Sequence, residues 1–219
     1  MKIKTIIATS VAAVSLLASS AAFAGNFTGN AAMNSNYLYR GQTQSADLST
    51  VSGGIDWSDP SGVYLGGWTS SLGGNDYELD LYGGYGFTVD KFDLDVGFIN
   101  YRYPVTGDAP SNLSEAYVNA SMLNYTAGIA ITLSKDGTEK DNDIYLYGKG
   151  EFELKQDLNL TVTVGSYNFD DSATEDYFHV QAALSKGDFT FAVDKNDDTS
   201  GVGKDAMRLT VSYGKSIDF

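Results

Sequence analysis

Few residues of this chain have the types and spacing that catalysis requires. The one histidine, His179, alternates with Tyr177 and Gln181 along the segment DYFHVQAALS. A hydrolase would need a nucleophile hydrogen-bonded to the imidazole and an oxyanion site beside it. The sequence has no G-x-S-x-G motif, and no Ser/His spacing indicates a nucleophile. We therefore predict that the protein is not an enzyme and that His179 is a hydrogen-bonding partner among tyrosines.

One acidic segment, DKNDDTSGVGKD, has the spacing of a calcium-binding loop. Asp194, Asn196 and Asp198 stand at the first, third and fifth positions of an EF-hand pattern. Thr199 occupies the sixth position, where that loop needs glycine, and Asp205 replaces the final glutamate. A solvated loop is the favoured interpretation and weak divalent binding by the first three residues is the alternative. No cofactor is predicted.

The overall charge excludes one class of partner. The sequence has 28 acidic and 14 basic residues, a net charge of −14, and no cysteine. Nucleic-acid binding requires a basic surface, so no nucleic-acid partner is predicted. Without cysteine the chain has no disulfide framework and no thiolate metal site.

The N-terminal segment has the pattern of a secretory signal peptide. Lys2 and Lys4 precede the apolar run TIIATSVAAVSLLA, and AFA at residues 22–24 matches a signal-peptidase cleavage site. We predict a signal peptide over residues 1–24 and a single mature domain over residues 25–219. No later stretch approaches 18 consecutive apolar residues, so no transmembrane helix is predicted.

After residue 24 the dominant pattern is an alternation of apolar and polar residues, which is typical of β-strands. The segments YELDLYGGYGFTV, LNLTVTVG and MRLTVSYGKSIDF show it clearly. In the fifth segment the alternation changes phase at residues 98–99, which predicts a β-bulge. Twelve such segments are found, near residues 26–40, 48–57, 62–71, 76–89, 92–103, 114–123, 125–134, 142–154, 158–169, 176–186, 189–195 and 205–218.

The connections between these segments alternate strictly between short and long. Turns such as DK and KGD alternate with links such as GQTQSAD and KNDDTSGVGK. Outer-membrane barrels have short periplasmic turns and longer extracellular loops, and a nearly uncharged apolar face suits lipid. We predict an all-β fold, a transmembrane antiparallel up-and-down β-barrel of about 12 strands in the bacterial outer membrane, with both termini in the periplasm.

If the apolar face meets lipid, the polar face lines the lumen. Carboxylates there set the field of a narrow pore, so an excess of acids predicts a mild preference for cations. Alternatively, the charges pair across the barrel and fill it together with inward aromatic residues. The predicted lumen acids are Asp56, Glu78, Asp80, Asp93, Asp95, Glu115, Glu151, Glu153 and Asp194, the bases are Arg40, Arg102, Lys149 and Arg208, and the aromatic residues are Tyr64, Trp68, Tyr82, Tyr117, Tyr145, Tyr147 and Tyr167.

Other aromatic residues fall near predicted strand ends on the outward face. Interfacial girdles of outer-membrane barrels have this placement, although tyrosine is also common in strands generally. The chain ends on Phe219, and a terminal aromatic residue on an alternating strand is similar to the assembly signal of outer-membrane barrels. We therefore predict an interaction of this strand with the barrel assembly machinery. The girdle candidates are Tyr37, Tyr39, Trp57, Tyr77, Tyr101, Tyr103 and Tyr213.

Four ordered blocks resemble one family. NSNYLYRGQTQS (34–45), GVYLGGWTSS (62–71), ELDLYGGYG (78–86) and DVGFINYRYP (95–104) are similar to the TorF-type porins of proteobacteria. Asn36 and Tyr39 stand where the opening block of that family has Asp and Phe. The resemblance implies an outer-membrane protein, and it brings no established solute or catalytic residue.

Together these patterns predict a porin-like outer-membrane channel for passive diffusion of small solutes, with a mild cation preference. The alternative is a closed structural or adhesion-type barrel without transport activity. A soluble periplasmic ligand-binding barrel is disfavoured by the strand number and the uncharged outward face. The predicted partners are outer-membrane lipid and lipopolysaccharide, the assembly machinery, and a small solute that the sequence does not identify.

Overall fold

A computed structural model describes residues 25–74, 76–104, 112–137, 142–171, 174–198 and 207–219. The predicted signal peptide lies outside these ranges and stays a prediction. Within the described ranges, no helix is long and apolar enough to cross a membrane.

The described chain forms fourteen strands, numbered here in chain order. They are β1 (Asn26–Asn34), β2 (Leu38–Tyr39), β3 (Gln42–Thr43), β4 (Thr50–Ser58), β5 (Val63–Ser71), β6 (Tyr77–Val89), β7 (Phe92–Arg102), β8 (Leu113–Met122), β9 (Tyr125–Lys135), β10 (Ile144–Lys155), β11 (Leu158–Asn168), β12 (Tyr177–Lys186), β13 (Phe189–Asn196) and β14 (Met207–Asp218).

Twelve of these strands form one closed antiparallel barrel. β4 to β13 each pair with the next strand along the chain, and β1 pairs with both β4 and β14, so the sheet has no edge. The amide of Phe219 donates to the carbonyl oxygen of Phe27 at 2.9 Å and extends this seam. β2 and β3 form a separate hairpin. The predicted twelve-stranded barrel is confirmed.

Side chains alternate between the outside and the inside of the barrel. Along β12, the side chains of Phe178, Val180 and Leu184 are exposed, whereas every second residue between them is buried. Leu209 in β14 is 73% exposed. Each Å² of such apolar surface costs about 25 cal/mol in water, while a closed sheet satisfies its own backbone and can turn this face to hydrocarbon.

The two ends of the barrel differ. Turns at residues 59–62, 90–91, 123–124, 156–157 and 187–188 lie at one end together with both termini, and we call it the turn end. The longer connections lie at the opposite end, which we call the loop end. Lys215, the one charged residue on the outward face of β14, reaches Asp188 at the turn end with Nζ 2.5 Å from Oδ2.

Inward tyrosines are seated over glycines of the neighbouring strand. Tyr64 pairs directly with Gly84, and Tyr117 pairs with Gly97. The pairs Tyr82–Gly66 and Tyr147–Gly128 repeat the arrangement. A glycine opposite an aromatic ring leaves room for the ring to lie flat against the wall, so these glycines fix the direction of the lumen tyrosines.

This seating predicts that Gly84→Ala lowers the unfolding temperature. A Cβ at Gly84 would lie 2.2 Å from the Tyr64 hydroxyl oxygen and 2.6 Å from the carbonyl oxygen of Val96, and overpacking of this kind costs about 1–3 kcal/mol. Gly67→Ala is the matched control, because its Cβ would face outward with Leu81 Cδ2 at 3.6 Å. The temperature of the folded-to-unfolded gel shift measures both, and equal temperatures would contradict the interpretation.

The predicted bulge at residues 98–99 is wrong. β7 keeps an unbroken register with β6 and β8, so Ile99 and Tyr101 face inward and are buried, while Arg102 faces outward and is exposed. Register shifts occur instead at residues 114–115 of β8 and 153–155 of β10.

The predicted aromatic girdle is correct only in part. Trp57, Tyr77 and Tyr213 face outward. The other four candidates face inward, and they are Tyr37, Tyr39, Tyr101 and Tyr103. At the turn end, further aromatic residues face outward in pairs, including Tyr85–Phe87 with ring centroids 5.4 Å apart. The other two pairs are Tyr125–Phe152 and Phe189–Tyr213.

Candidate functional site

The first predicted strand ends early, at Asn34 instead of near residue 40. Residues 35–49, here called the lumen loop, connect β1 to β4 and fold into the loop end of the barrel. The β2–β3 hairpin turns at Arg40 and Gly41, whose φ angles of 50° and 81° form the left-handed pair of a two-residue type I′ turn. Arg40 therefore stands at the tip of a hairpin inside the lumen.

Arg40 makes a buried bidentate ion pair with Glu115 of β8. Its Nη1 and Nη2 atoms lie 2.8 and 2.7 Å from the two carboxylate oxygens. Its guanidinium carbon lies 4.1 Å from the ring centroid of Tyr145 and 4.9 Å from that of Tyr167. Charge pairing and stacking on aromatic rings are the two interactions for which guanidinium is best suited, so this pair holds the hairpin firmly. We call it the Arg40–Glu115 latch.

The same side of the wall holds two tyrosines of the loop. The hydroxyl of Tyr37 donates to Glu78 Oε1 of β6 at 3.0 Å. The hydroxyl of Tyr39 donates to that of Tyr101 on β7, also at 3.0 Å.

The opposite side of the wall holds the loop through polar side chains of β13 and β14. Asn196 Nδ2 donates to the carbonyl oxygen of Gly41 at 2.7 Å, and Gln42 Nε2 donates to Asp198 just beyond β13 at 2.7 Å. Arg208 Nε donates to Asp47 Oδ1 at 2.7 Å. The lumen loop thus spans the barrel from wall to wall at the loop end.

His179 lies beneath the hairpin tip, facing the lumen as predicted. Its Nε2 atom is 2.8 Å from the Tyr145 hydroxyl, and the two rings are stacked with centroids 5.8 Å apart. A Cβ added to Gly41 would lie 2.6 Å from the Cβ of His179. The imidazole is therefore a packing and hydrogen-bonding surface for the loop.

Two carboxyl groups lie side by side under the lumen loop. Glu78 and Asp80 both face inward from β6 and are each 1% exposed. Glu78 lies within hydrogen-bond distance of Asp80 and of the hydroxyls of Tyr37 and Tyr103. Asp80 Oδ1 is buried without a hydrogen-bond partner.

The turn-end half of the lumen is more open. Tyr64 donates to Asp95 at 2.7 Å and is hydrogen-bonded to the hydroxyl of Tyr117, and Tyr82 donates to Asp56 at 2.5 Å. Several inward side chains of this half are only partly buried. The lumen is consequently closed at the loop end and accessible to water at the turn end.

The predicted lumen charges separate into three groups. Those sealed under or within the lumen loop are Arg40, Glu78, Asp80, Glu115, Asp194 and Arg208. Those of the turn-end half are Asp56, Asp93, Asp95, Lys149, Glu151 and Glu153, of which Lys149 and Glu151 pair at 3.3 Å. Arg102 is not in the lumen: its Nε donates at 2.6 Å to Asn100 on the outer face.

The metal candidates Asp194, Asn196 and Asp198 hold other parts of the protein instead of forming a cluster. Asp194 accepts from Gln181 at 2.7 Å, and the other two bind the lumen loop. Among the described residues, no group of three or more His, Cys, Asp or Glu side chains could hold a metal ion. The rest of the calcium-like segment lies outside the described residues.

Sequence reasoning missed the lumen loop. The alternation continued through NSNYLYRG, and this pattern favoured a longer first strand. The dipeptide Arg40–Gly41 between Tyr39 and Gln42 is the one signal that could have indicated a tight turn.

Comparison with known proteins now places the chain. Residues 18–203 match the model of a family described as "bacterial protein of unknown function (Gcw_chp)". The chain belongs to this family. No curated protein matches it. The family match does not carry the TorF name, so that name stays a resemblance of sequence blocks.

Solved structures share the fold of this Gcw_chp protein. The KdgM porin superposes with a TM-score of 0.56 at 10% identity, over 89% of this chain and 99% of that chain. The KdgM porin in complex with disordered oligogalacturonate gives 0.55 at 9%, with the same coverage. A structure from work on the in-meso crystallisation of membrane proteins gives 0.59 at 11%, over 89% of this chain and 84% of that chain.

At these identities the shared property is the fold. The barrel fold, predicted from the strand pattern and the loop lengths, is shared with the KdgM porin.

Proposed function

We propose that this protein is an outer-membrane channel for small solutes that the lumen loop closes at rest. The wall-to-wall placement of residues 35–49, held by the Arg40–Glu115 latch, carries the proposal. Solutes pass when the loop leaves the lumen. The porin fold supports a transport role, and the water-accessible turn-end half supplies the remaining path.

The orientation follows from the two ends of the barrel. Short turns and both termini face the periplasm, and the longer connections face the cell exterior, as in other outer-membrane barrels. The lumen loop then closes the outer mouth. Lys215 lies where the inner leaflet meets the periplasm, so its long side chain reaches the headgroup region.

The turn-end lumen favours cations. Asp56, Asp93, Asp95, Glu151 and Glu153 face it, and Lys149 is the one base of that group. Because Arg102 faces outward, the excess of acidic over basic residues in the lumen is larger than the sequence predicted. Carboxylates in a narrow lumen raise the local concentration of cations and lower that of anions.

The alternative function is a closed structural barrel. The observation in its favour is that hydrogen bonds and an ion pair hold the lumen loop to both sides of the barrel wall. Such a protein would conduct neither with the lumen loop nor without it. The channel proposal requires conductance once the loop is released, so electrical recording in planar bilayers separates the two functions.

Cation preference gives a separate prediction. The triple variant Asp93→Asn, Glu151→Gln and Glu153→Gln is expected to move the reversal potential across a KCl gradient towards zero, because it removes three negative charges from the accessible lumen. Arg102→Gln, on the outer face, is the control and should leave the reversal potential unchanged. A triple variant as selective as the wild type would contradict the assignment of these carboxylates to the path.

A further inference from the structure

We propose that Glu78 and Asp80 bind a hard metal cation beneath the lumen loop. Both side chains are 99% removed from solvent, and they lie next to each other on one face of β6. Two adjacent carboxylates in so dry a place repel each other strongly unless a positive charge balances them.

The described part of the chain supplies no such charge. Neither Glu78 nor Asp80 makes an ion pair with a Lys, Arg or His side chain there. The guanidinium of Arg40, which also lies in the lumen, is engaged by both oxygens of Glu115, and Arg102 on the neighbouring strand faces outward. The charge of the pair is therefore left for a bound cation or a shared proton to balance, and we assign that role to a cation.

One oxygen of the pair is available for that ligand. Asp80 Oδ1 is buried without a hydrogen-bond partner, and a buried carboxylate oxygen in this state costs free energy that a cation would recover. Asp80 lies within hydrogen-bond distance of Glu78, so this oxygen is part of the same carboxyl pair. It separates this pair from a buried acid such as Asp95, whose two oxygens accept from Tyr64 and Asn119. Asp194 Oδ2 is also buried without a hydrogen-bond partner, but Asp194 lies opposite the cation Arg208 in the β13–β14 register.

The donor set fits a hard cation. The two carboxylates provide four oxygens, and the hydroxyls of Tyr37 and Tyr103 lie within hydrogen-bond distance of Glu78. Hard cations such as Ca²⁺ prefer oxygen ligands, and a divalent ion would match the charge of the pair. Since Tyr37 belongs to the lumen loop, bound cation would also fasten the loop to β6.

Binding can be measured without any conductance. Purified full-length mature protein in detergent, treated with EDTA, is melted in CaCl₂, MgCl₂, NaCl or choline chloride at equal ionic strength. We expect Ca²⁺ at about a hundredfold excess over its dissociation constant to raise the unfolding temperature by roughly 5–10 °C over choline. A rise in NaCl equal to that in CaCl₂ would show that the site accepts monovalent and divalent metal ions alike and would keep the proposal.

Variants locate the site. Asp80→Asn and Glu78→Gln should remove the cation-dependent rise, whereas Asp194→Asn, at another buried inward carboxylate, should keep it. If Asp80→Asn does not fold, Tb³⁺ luminescence excited through the nearby tyrosines of the wild type, displaced by Ca²⁺, provides the second measurement, and Asp194→Asn again serves as its control.

Two outcomes overturn the proposal. The first is an unfolding temperature that no metal cation changes and that rises only as the pH falls. In that case a proton shared by the two carboxyls balances their charge. The second is a cation-dependent rise that Asp194→Asn abolishes, because the ion then binds elsewhere. Neither outcome depends on conductance, so the cation site and the transport function can be refuted independently of each other.

Discussion

Glu115→Gln is expected to open the channel. In the closed state the substitution leaves the guanidinium of Arg40 buried without a counter-charge, and breaking a buried pair in this way costs about 3–5 kcal/mol. In the open state Arg40 stands in water and pays no such cost. The ratio of closed to open barrels therefore falls by about a hundredfold to a few thousandfold.

Single-channel recording in planar bilayers measures this ratio as the open probability. Glu153→Gln makes the same change of charge at an exposed inward position of the turn end, and it is expected to leave the open probability unchanged. If Glu115→Gln and Glu153→Gln both behave like the wild type, the latch does not hold the loop.

Gly41→Val is expected to expel the lumen loop while the barrel stays folded. The position has a φ of 81°, which suits glycine and strains a β-branched residue. Its Cβ would also lie 2.6 Å from the Cβ of His179, a wall atom that cannot swing away. The hairpin cannot dock with this side chain, yet none of the twelve barrel strands includes residue 41.

Trypsin reports the position of the loop. Arg40 is the one Lys or Arg within residues 35–49, and its burial protects the bond that follows it. We expect cleavage after Arg40 in Gly41→Val and resistance in the wild type. Gly74→Val is the control, because its φ of 84° is equally strained but its Cβ would meet no atom within 4 Å. Resistance of Gly41→Val would show that the loop still docks.

The barrel could be predicted from the sequence because lipid imposes one rule on every strand. β12, β13 and β14 alternate without exception until the rim of the membrane, and the loop lengths indicate which end is which. Strand number and the ends of most strands follow from that rule alone.

The rule fails where the lumen is dry. Under the lumen loop, inward residues such as Ile99 and Tyr101 are apolar or aromatic, while the outward Arg102 stands near the polar rim. The polarity of the two faces is thus reversed at the end of β7, and a phase change was predicted where the strand is regular. Only knowledge of what fills the lumen could have prevented this error.

The candidate site was predictable in composition and not in arrangement. Parity placed Arg40, Glu78 and Glu115 at lumen positions, but the latch joins residues 75 positions apart. Its formation depends on the hairpin turn at Arg40 and Gly41, which moves one end of the pair into the lumen. No alternation pattern contains that information.

The central claim is that residues 35–49 close an otherwise open barrel. Asn36 Nδ2 and Asp47 Oδ1 are hydrogen-bonded at 2.7 Å, so a short Gly-Ser linker can replace residues 37–46 without straining the wall. In planar bilayers we expect sustained conductance from this shortened protein and only rare, brief openings from the wild type. Equal conductance of the two proteins, or silence from both, would contradict the account.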